Sequence, residues 1–514
     1  MQYVKIFLTR IFEFKETEML FSSMTFLWIF LPAVIIINFI LSIVPFKSDG
    51  LRMQSKNMFL LFSSLLFYAW GGIYYLLIML ASICLNFAGG YLINRFADSK
   101  SRKRLVLILS VILNLGMLFF FKYFNMLVVV IESFMANPGS ISGALSQMIA
   151  MEGSGALGIG YIVLPIGISF FTFQSMSYVI DVYTGKAEVQ KNIISFALYV
   201  SLFPQLIAGP IVKYSDIDLQ LNHRKETVDL FLSGQKRFCY GLGKKVLLSN
   251  TLAKLADDVW ALETDTLGTP LAWLALIAYT LQIYYDFSGY SDMAIGIGRM
   301  LGFTFKENFD YPLTSMSVGE FWRRWHISLS SWFKEYVYIP LGGNRRGAGR
   351  TYLNLLVVFF LTGIWHGANF TFIVWGLYYA FFQIAERLFL KKLLDKNPLK
   401  ILNVIYTIFV TLMGFVIFRS TTIPQAISYF KQLFNFSPSG IKFMSHISMQ
   451  VIIVLIVGIL FTGILQRPLR SGYEKIKTRL PVLTVDFACQ YAILILSVLT
   501  LASGTYNPFI YFQF

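Results

Sequence analysis

Two Trp-His pairs are the residues of this chain best suited to proton-transfer chemistry. They are Trp325-His326 and Trp365-His366, forty positions apart, in a chain with only four histidines. Apart from tyrosines, His366 is the one ionisable side chain over residues 351–385. A lone histidine in so apolar a run is a functional hypothesis, because polar groups at membrane depth are costly. A desolvated, neutral imidazole can accept the proton of an attacking hydroxyl, which contributes about 10²- to 10⁴-fold in acyl transfer.

Other interpretations of the two histidines remain open from the residues alone. His366 could be a packing histidine that donates to a carbonyl at a helix end. His326 could be a buried, hydrogen-bonded histidine of a membrane-surface helix. A metal site is less favoured, because two histidines forty residues apart without a nearby third ligand are a weak zinc signal.

The composition is typical of a multi-pass membrane protein. The chain has 514 residues, of which 56% are hydrophobic and only 14% charged. Hydrophobic runs of about 20 residues recur along it, each long enough to cross a bilayer as a helix. We therefore expect an all-α polytopic protein of the plasma membrane. The net charge of +16 fits Lys and Arg in short cytoplasmic loops better than nucleic-acid binding.

The hydrophobic runs predict eleven to thirteen helices near the membrane, not all of them spanning. The predicted segments are 24–45, 57–71, 73–93, 104–122, 123–136, 157–183, 193–212, 270–298, 351–366, 370–388, 401–419, 448–466 and 483–503.

Basic clusters predict which loops face the cytoplasm. The hairpin 351–388 begins and ends beside such clusters, so His366 is expected at its turn, deep in the membrane or toward the outer face. The loop at 137–156 has no basic residue and is expected outside. The run FPQLIAGP, with its two prolines and a glycine, favours a broken, re-entrant segment over a clean crossing.

Segment 317–338 predicts an amphipathic helix at the membrane surface. Ser317 and Glu320 form a capping box at its start. We expect His326 at the margin of the apolar face, pointing into the protein. The predicted apolar face comprises Trp322, Trp325, Leu329, Trp332, Phe333 and Tyr336. The predicted polar face comprises Arg323, Arg324, Ser328, Ser331, Lys334 and Glu335.

Two further patterns contain groups that could bind substrate. The loop IPLGGNRRGAGR, which follows this segment, offers backbone N–H groups and arginines to phosphates, although positive-inside charge explains it equally well. Asp286 and Asp292 lie in an apolar run. Such carboxylates should be hydrogen-bonded, protonated or in a wet cavity. They could orient a histidine or a substrate, or satisfy helix ends.

The chain resembles the membrane-bound O-acyltransferase family, and in particular its alginate O-acetylation branch. The matching stretches include LPIGISFFTFQSMSYVIDVY, FPQLIAGPIV, YYDFSGYSDMAIGIGRMLGF, WRRWHISLS and LTGIWHGANF. The resemblance covers nearly the whole chain from Met19. It implies a single domain over 19–514, with residues 1–18 as an N-terminal extension and Met19 as an alternative start.

The resemblance also implies a mechanism and partners. Tilted helices would surround a thin centre with a funnel on each side, where His366 acts as base and His326 as its partner or orienter. The implied donor is acetyl-CoA, with no bound cofactor. The implied acceptor is an extracytoplasmic glycan, reached through an acetyl-carrier or acetyltransferase partner. Five side chains are further candidates for contacting substrate: Trp365, Asn369, Arg323, Trp332 and Asp286.

Two other functions remain open at this stage. A secondary transporter or flippase could use the histidines for proton coupling, but we find no internal repeat of the kind that many transporters have. D-alanyl transfer to teichoic acid is the activity of a related branch of the same family.

Overall fold

Helices joined by loops make up the part of the chain that the computed structural model describes, namely residues 19–135, 164–207, 209–436, 447–476, 480–504 and 506–508. These residues contain no β-strand, which confirms the all-α prediction. The predictions for residues 1–18, for the loop at 137–156 and for the first residues of segment 157–183 lie outside the described residues.

The first eleven helices run to the middle of the chain. They are α1 (Leu31–Ile43), α2 (Asp49–Ala69), α3 (Ile73–Arg95), α4 (Lys100–Ser133), α5 (Ile168–Thr184), α6 (Ile193–Ser201), α7 (Phe203–Leu206), α8 (Tyr214–His223), α9 (Val228–Gly243), α10 (Asn250–Trp260) and α11 (Thr269–Met300).

Ten more helices complete the described fold. They are α12 (Val318–Arg324), α13 (Ile327–Phe333), α14 (Ala348–His366), α15 (Phe370–Ala385), α16 (Lys391–Lys396), α17 (Lys400–Arg419), α18 (Ile423–Phe434), α19 (Met449–Ile459), α20 (Gln466–Ile476) and α21 (Leu480–Ala502). Short π-helical segments extend several of them, as at Lys244–Ser249 and Lys334–Tyr338.

Six helices within the described residues are long and apolar enough to cross a bilayer. They cover Phe26–Ile43, Ile73–Arg95, Lys100–Glu132, Ala348–His366, Lys400–Arg419 and Leu480–Ala502. The division of the fourth and fifth predicted segments at residue 122 is wrong, because α4 passes through Lys122 without interruption. A helix can carry a lysine in an apolar run when its ammonium group finds a partner inside the protein.

The single helix predicted over 317–338 is also wrong. It is two short helices, α12 and α13, joined at His326, whose backbone is left-handed with φ 44° and ψ 55°. The cap at Ser317 is as predicted, since its Oγ accepts from the backbone N–H of Glu320 at 3.0 Å. The carboxylate of Glu320, however, accepts from the N–H of Met316 rather than from that of Ser317.

The predicted break in segment 193–212 is present. Helix α6 ends at Ser201, the short α7 follows, and the described residues from Ile207 to Lys213, which exclude residue 208, form no regular helix. This irregular backbone is tied to the centre of the protein, because the N–H of Ile211 donates to Oγ of Ser328 at 3.0 Å.

Glycines allow the closest helix contacts. In α9 and α11, Gly241 faces Gly289 so closely that an added Cβ on either one would lie within 3 Å of the other's carbonyl oxygen. The α14–α15 hairpin is equally tight, because a Cβ on Gly363 would lie 2.4 Å from the Phe372 carbonyl oxygen. Small residues let helix backbones approach in this way in membrane proteins. The hairpin holds His366 at the end of α14, as predicted.

Candidate active site

His326 is buried and held by a polar network from the preceding loop. Its side chain is 1% exposed, and its Nδ1 lies 3.1 Å from Oδ1 of Asn308. The same oxygen accepts from the backbone N–H of Ser328 at 3.2 Å and from its Oγ at 2.9 Å. The Asn308 amide group donates to Oγ of Ser291 on α11 at 2.9 Å. The loop also pairs with the backbone at the α12–α13 junction, because the N–H of Ile327 donates to the Asn308 carbonyl at 2.9 Å.

This network fixes the tautomer of His326. The Asn308 atom that faces the Ser328 N–H must be the amide oxygen, because a backbone N–H can only donate. Nδ1 of His326 faces that same oxygen and must therefore carry the proton. Nε2 is then a bare acceptor, buried and without a hydrogen-bond partner among the described residues. Burial lowers the pKa of the His326 imidazole to about 3, so the ring is neutral at physiological pH.

Trp365 lies between the two histidines. Its ring centre is 6.0 Å from that of His326 and 5.0 Å from that of His366. The indole is 3% exposed and also contacts Phe170 and Phe173 of α5, at 5.8 Å each. The two Trp-His pairs of the sequence therefore meet in one place, as a shared catalytic centre requires.

His366 is the last residue of α14 and sits in an aromatic enclosure. Its ring centre is 4.9 Å from that of Trp375 and 5.2 Å from that of Phe418. The side chain is only half-buried. His326 and Lys122 are both near enough to interact electrostatically with it. Helix α14 ends here because Gly367 adopts an extended conformation, which leaves the last carbonyls of the helix open to other donors.

Two side chains of α4 take up these open carbonyls. The ammonium of Lys122 donates to the carbonyl of Trp365, and the hydroxyl of Tyr123 donates to the carbonyl of Ile364. The ammonium also lies 5.7 Å from the centre of the Trp365 ring. Helix α4 thus contacts the two consecutive carbonyls that immediately precede His366.

Cavities occupy the space beside both ends of α14. Near its first residues lies a cavity of about 730 Å³, the basic cavity, whose lining has four basic side chains, Arg323, Arg387, Lys391 and Lys400, and three acidic ones, Glu320, Glu386 and Asp395. A second cavity of about 340 Å³, the apolar cavity, shares Arg323 and Arg387 with it. The apolar cavity is lined further along by Val358, Phe359 and Thr362. Thr362 precedes His366 by one helical turn, so this cavity extends toward the histidine.

A third cavity, the distal cavity of about 580 Å³, lies at the other end of α14. Its lining includes the turn Gly367, Ala368 and Asn369 together with Phe418, which contacts the His366 ring. Polar groups from other helices and from the segments between them complete it: Asp257, Arg419, Ser420, Thr421, Gln425 and Tyr506. His366 therefore lies between the apolar cavity, which reaches Thr362, and the distal cavity, which reaches Gly367, and it is not itself among the residues that line them.

The structure places the other candidate residues differently. Arg323 is exposed and lines both cavities at the start of α14. Asn369 lines the distal cavity, but its side chain also caps α15 by accepting from the N–H of Thr371 at 3.3 Å. Trp332 is a packing residue: it stacks on Phe173 at 3.9 Å and donates to that residue's carbonyl at 3.0 Å.

Asp286 is engaged by a buried lysine. Its carboxylate pairs with the ammonium of Lys245 at 2.6 Å, and both side chains are 1% exposed. Asp292 pairs with Lys244 at 2.6 Å and with Arg237 at 2.7 Å. Both carboxylates therefore have the polar partners that the sequence led us to expect, and these partners join α11 to α9 and the turn that follows it.

Three further residues of the site, Asn308, Lys122 and Tyr123, are not among the candidates chosen from the sequence. Asn308 gives no signal by spacing, since it lies in a loop eighteen residues before the histidine that it contacts. Lys122 did give a signal, because a lysine inside the run GMLFFFKYFNML is unexpected in an apolar helix. It was assigned to the end of a membrane segment, which hid its position in the middle of α4.

Comparison with known proteins places the chain in a family. The family model described as MBOAT, the membrane-bound O-acyltransferase family, matches residues 186–423. A probable alginate O-acetylase of Pseudomonas aeruginosa is 42% identical over 81% of this chain and 75% of its own length. Its counterpart in Pseudomonas putida is 36% identical over 96% of this chain and 100% of its own length.

The chain is also similar to a relative whose name refers to another polymer. The peptidoglycan O-acetyltransferase of Helicobacter pylori is 33% identical over 80% of this chain and 79% of its own length. These matches favour acyl transfer over the transporter that the sequence had left open. The chain belongs to the membrane-bound O-acyltransferase family and is an acyltransferase.

Proposed function

We propose that this protein takes an acetyl group from a cytoplasmic thioester, acetyl-CoA, and passes it across the plasma membrane for O-acetylation of an extracytoplasmic polysaccharide. The names of the relatives support acetyl as the group transferred, since alginate and peptidoglycan acetylation both appear among them. The acceptor is alginate or a related cell-surface glycan, reached with the help of an extracytoplasmic acetyl-carrier or acetyltransferase partner.

The observation that carries this proposal is the position of His366 between the apolar cavity, which extends along α14 to Thr362, and the distal cavity, which begins at Gly367. Helix α14 has 19 residues and spans about 28 Å, close to the roughly 30 Å thickness of the hydrocarbon core of a bilayer. Its first residues follow Arg345 and Arg346, which marks that end as cytoplasmic by the excess of basic residues. The distal cavity then opens toward the outer face.

The cavities at the cytoplasmic end suit a CoA thioester. Arg323, Arg387 and Lys391 would pair with phosphates at the entrance, since arginine matches phosphate geometry particularly well. The narrower apolar cavity would take the uncharged arm that carries the acetyl group toward Thr362 and His366. The acceptor hydroxyl would arrive through the distal cavity, where Asn369 and Gln425 can hydrogen-bond to it.

The reaction is a single acyl exchange. The acceptor hydroxyl oxygen attacks the thioester carbonyl carbon while the His366 imidazole takes the hydroxyl proton. The tetrahedral intermediate then collapses, the carbon–sulfur bond breaks, and the leaving thiolate takes the proton back from His366. His326, neutral and with Nε2 open, orients the reacting groups from the other side of Trp365. The products are an acetyl ester and CoA.

The experiment replaces His366 and His326 separately with Ala in a strain that lacks the native gene. Membrane amounts of each variant are measured, and acetate released from surface polysaccharide by mild alkali is quantified. His223→Ala is the matched control, because this histidine is exposed at the end of α8. We expect His366→Ala to abolish the esters while the control retains them. Full acetylation in both His366→Ala and His326→Ala would contradict the proposed function.

A further inference from the structure

Lys122 is an unusual residue for its helix. It stands at the middle of α4, within GMLFFFKYFNML, in a segment that is otherwise apolar enough to span a membrane. A lysine within a membrane segment is rare and marks a functional position by default, with its partner to be identified. The partner here is the carbonyl of Trp365, one residue before His366.

The hydrogen bond falls where the backbone needs a donor. The last four carbonyls of a helix have no intrahelical partner, and a cation at that end also interacts favourably with the helix dipole. Lys122 and Tyr123 supply donors to two consecutive carbonyls, those of Trp365 and Ile364. Two adjacent residues of α4 therefore hold the last turn of α14, immediately before His366.

The side chain of Lys122 also contacts Trp365. Its ammonium lies 5.7 Å from the indole centre, within the range of a cation–π interaction. Because the same indole contacts the rings of His326 and His366, one lysine restrains both the backbone and the aromatic ring between the two histidines.

We propose that Lys122 is a positioning residue of the acyltransferase: by capping the carbonyl of Trp365 it fixes the end of α14 and thereby the imidazole of His366. The inference rests on the proposed function only in taking His366 as the base. Tyr123 contributes to the same cap through the carbonyl of Ile364.

The test compares four purified full-length variants in liposomes, with radiolabelled acetyl-CoA as donor and acetyl transfer or CoA release as readout. Lys122→Met removes the donor and the charge but keeps an unbranched side chain. Lys122→Arg keeps both, and Tyr123→Phe removes only the second donor. Lys103→Met is the matched control, since this lysine of the same helix lies over the Tyr183 ring, away from α14.

We expect Lys122→Met to lower turnover at saturating acetyl-CoA by about ten- to a hundredfold, the size of effect that a misplaced catalytic group causes. The concentration of acetyl-CoA for half-maximal rate should change by less than about twofold, because the donor cavities are untouched. Lys122→Arg should recover most of the rate, Tyr123→Phe should lose less than Lys122→Met, and Lys103→Met should match the parent. Poor insertion cannot explain a loss, because methionine makes α4 more apolar.

A second readout separates positioning from other roles. Amide hydrogen exchange over residues 361–368 should be faster in Lys122→Met than in the parent, and unchanged in Lys103→Met. Full turnover in Lys122→Met, or lost turnover with unchanged exchange at the end of α14, would overturn the proposal. Retained activity in His366→Ala would instead show that His366 is not the base. Failure of the proposed function is therefore distinguishable from failure of the role proposed for Lys122.

Discussion

Nδ1 of His326 and Oδ1 of Asn308 lie 3.1 Å apart, and this hydrogen bond determines which nitrogen of the histidine can accept a proton. The amide oxygen is identified by the Ser328 N–H that it also accepts. A hydrogen bond to one ring nitrogen commonly sets the role of the other. Here it leaves Nε2 as the ring nitrogen that can accept a hydrogen bond.

Replacing Asn308 should therefore affect both stability and rate. Asn308→Leu has a similar size but removes the acceptor for His326 and for Ser328. We expect the variant to lose about 1–3 kcal/mol of unfolding free energy, because buried donors are left unsatisfied. Turnover should fall as well, because the tautomer is no longer fixed. Thermal unfolding in detergent and acetyl transfer per folded molecule provide the two measurements.

Ser291→Ala is the control for this prediction. It removes only the hydroxyl that the Asn308 amide group donates to, and it leaves the oxygen's contacts in place. Its effect on turnover should be small. If Asn308→Leu transfers acetyl as fast as the parent, the network does not control His326.

The low pKa of His326 predicts acid sensitivity of the fold. The ring titrates at about 3 when folded and near its ordinary value of about 6.5 when unfolded, so between these values the unfolded chain binds one more proton. Stability is therefore complete above about pH 6.5 and declines as the pH falls. At pH 5 the loss from this one group should be about 2 kcal/mol.

His326→Gln should reduce that acid sensitivity. Unfolding of parent and variant is measured by thermal denaturation in detergent at pH 7 and pH 5, and the difference between the two pH values is compared. His223→Gln, at an exposed histidine, should behave as the parent. Equal acid sensitivity in His326→Gln and parent would argue against a buried neutral imidazole at this position.

The tight α14–α15 hairpin predicts a large effect of adding one carbon atom. A Cβ at Gly363 would lie 2.4 Å from the Phe372 carbonyl oxygen, an atom that cannot move without shifting α15. We expect Gly363→Ala to destabilise the protein by about 1–3 kcal/mol, as overpacking does, and to lower activity by displacing His366.

Gly349→Ala is the matched control on the same helix. A Cβ at Gly349 meets nothing within 4 Å. Alanine is also favoured over glycine in helices by about 1 kcal/mol, so this variant should be neutral or slightly more stable. Equal stability of the two variants in thermal unfolding would show that the hairpin can relax around residue 363.

The basic cavity predicts how the donor binds. Removing the charge of Arg323 should raise the concentration of acetyl-CoA needed for half-maximal rate by about tenfold, the equivalent of about 1.4 kcal/mol of binding. Turnover at saturation should change little, because Arg323 lines the cavities at the start of α14, whereas His366 is the last residue of that helix. Lys254→Gln is the control, since Lys254 pairs with Asp258 and lines none of the cavities described above. An unchanged half-saturation value in Arg323→Gln would mean that the phosphates bind elsewhere.

The fold class and the two histidines could be predicted from the sequence because each leaves a local signal. Apolar runs predict membrane helices, and a histidine in such a run is conspicuous, as at His366. The break of the helix at His326 could not be predicted, because local periodicity favours one continuous helix. The left-handed backbone there is stabilised by Asn308, whose contacts arise only when the chain folds.

Lys122 illustrates the same limit. The sequence shows an unusual lysine, but not that its partner is a carbonyl more than 240 residues away. Hydrophobicity alone predicts that a membrane helix ends at a charged residue such as Lys122. Because Lys122 donates a hydrogen bond to the carbonyl of Trp365, its charge has a partner inside the protein, and α4 continues to Ser133.

We propose that His366 performs the proton transfer when acetyl passes from a cytoplasmic donor to an outer acceptor. The most direct test measures acetate esters on surface polysaccharide in cells that carry His366→Ala, with membrane expression and thermal stability matched to the parent. We predict no esters above the level of cells lacking the gene, and normal esters in His223→Ala. Esters at the parental level in His366→Ala would contradict the account.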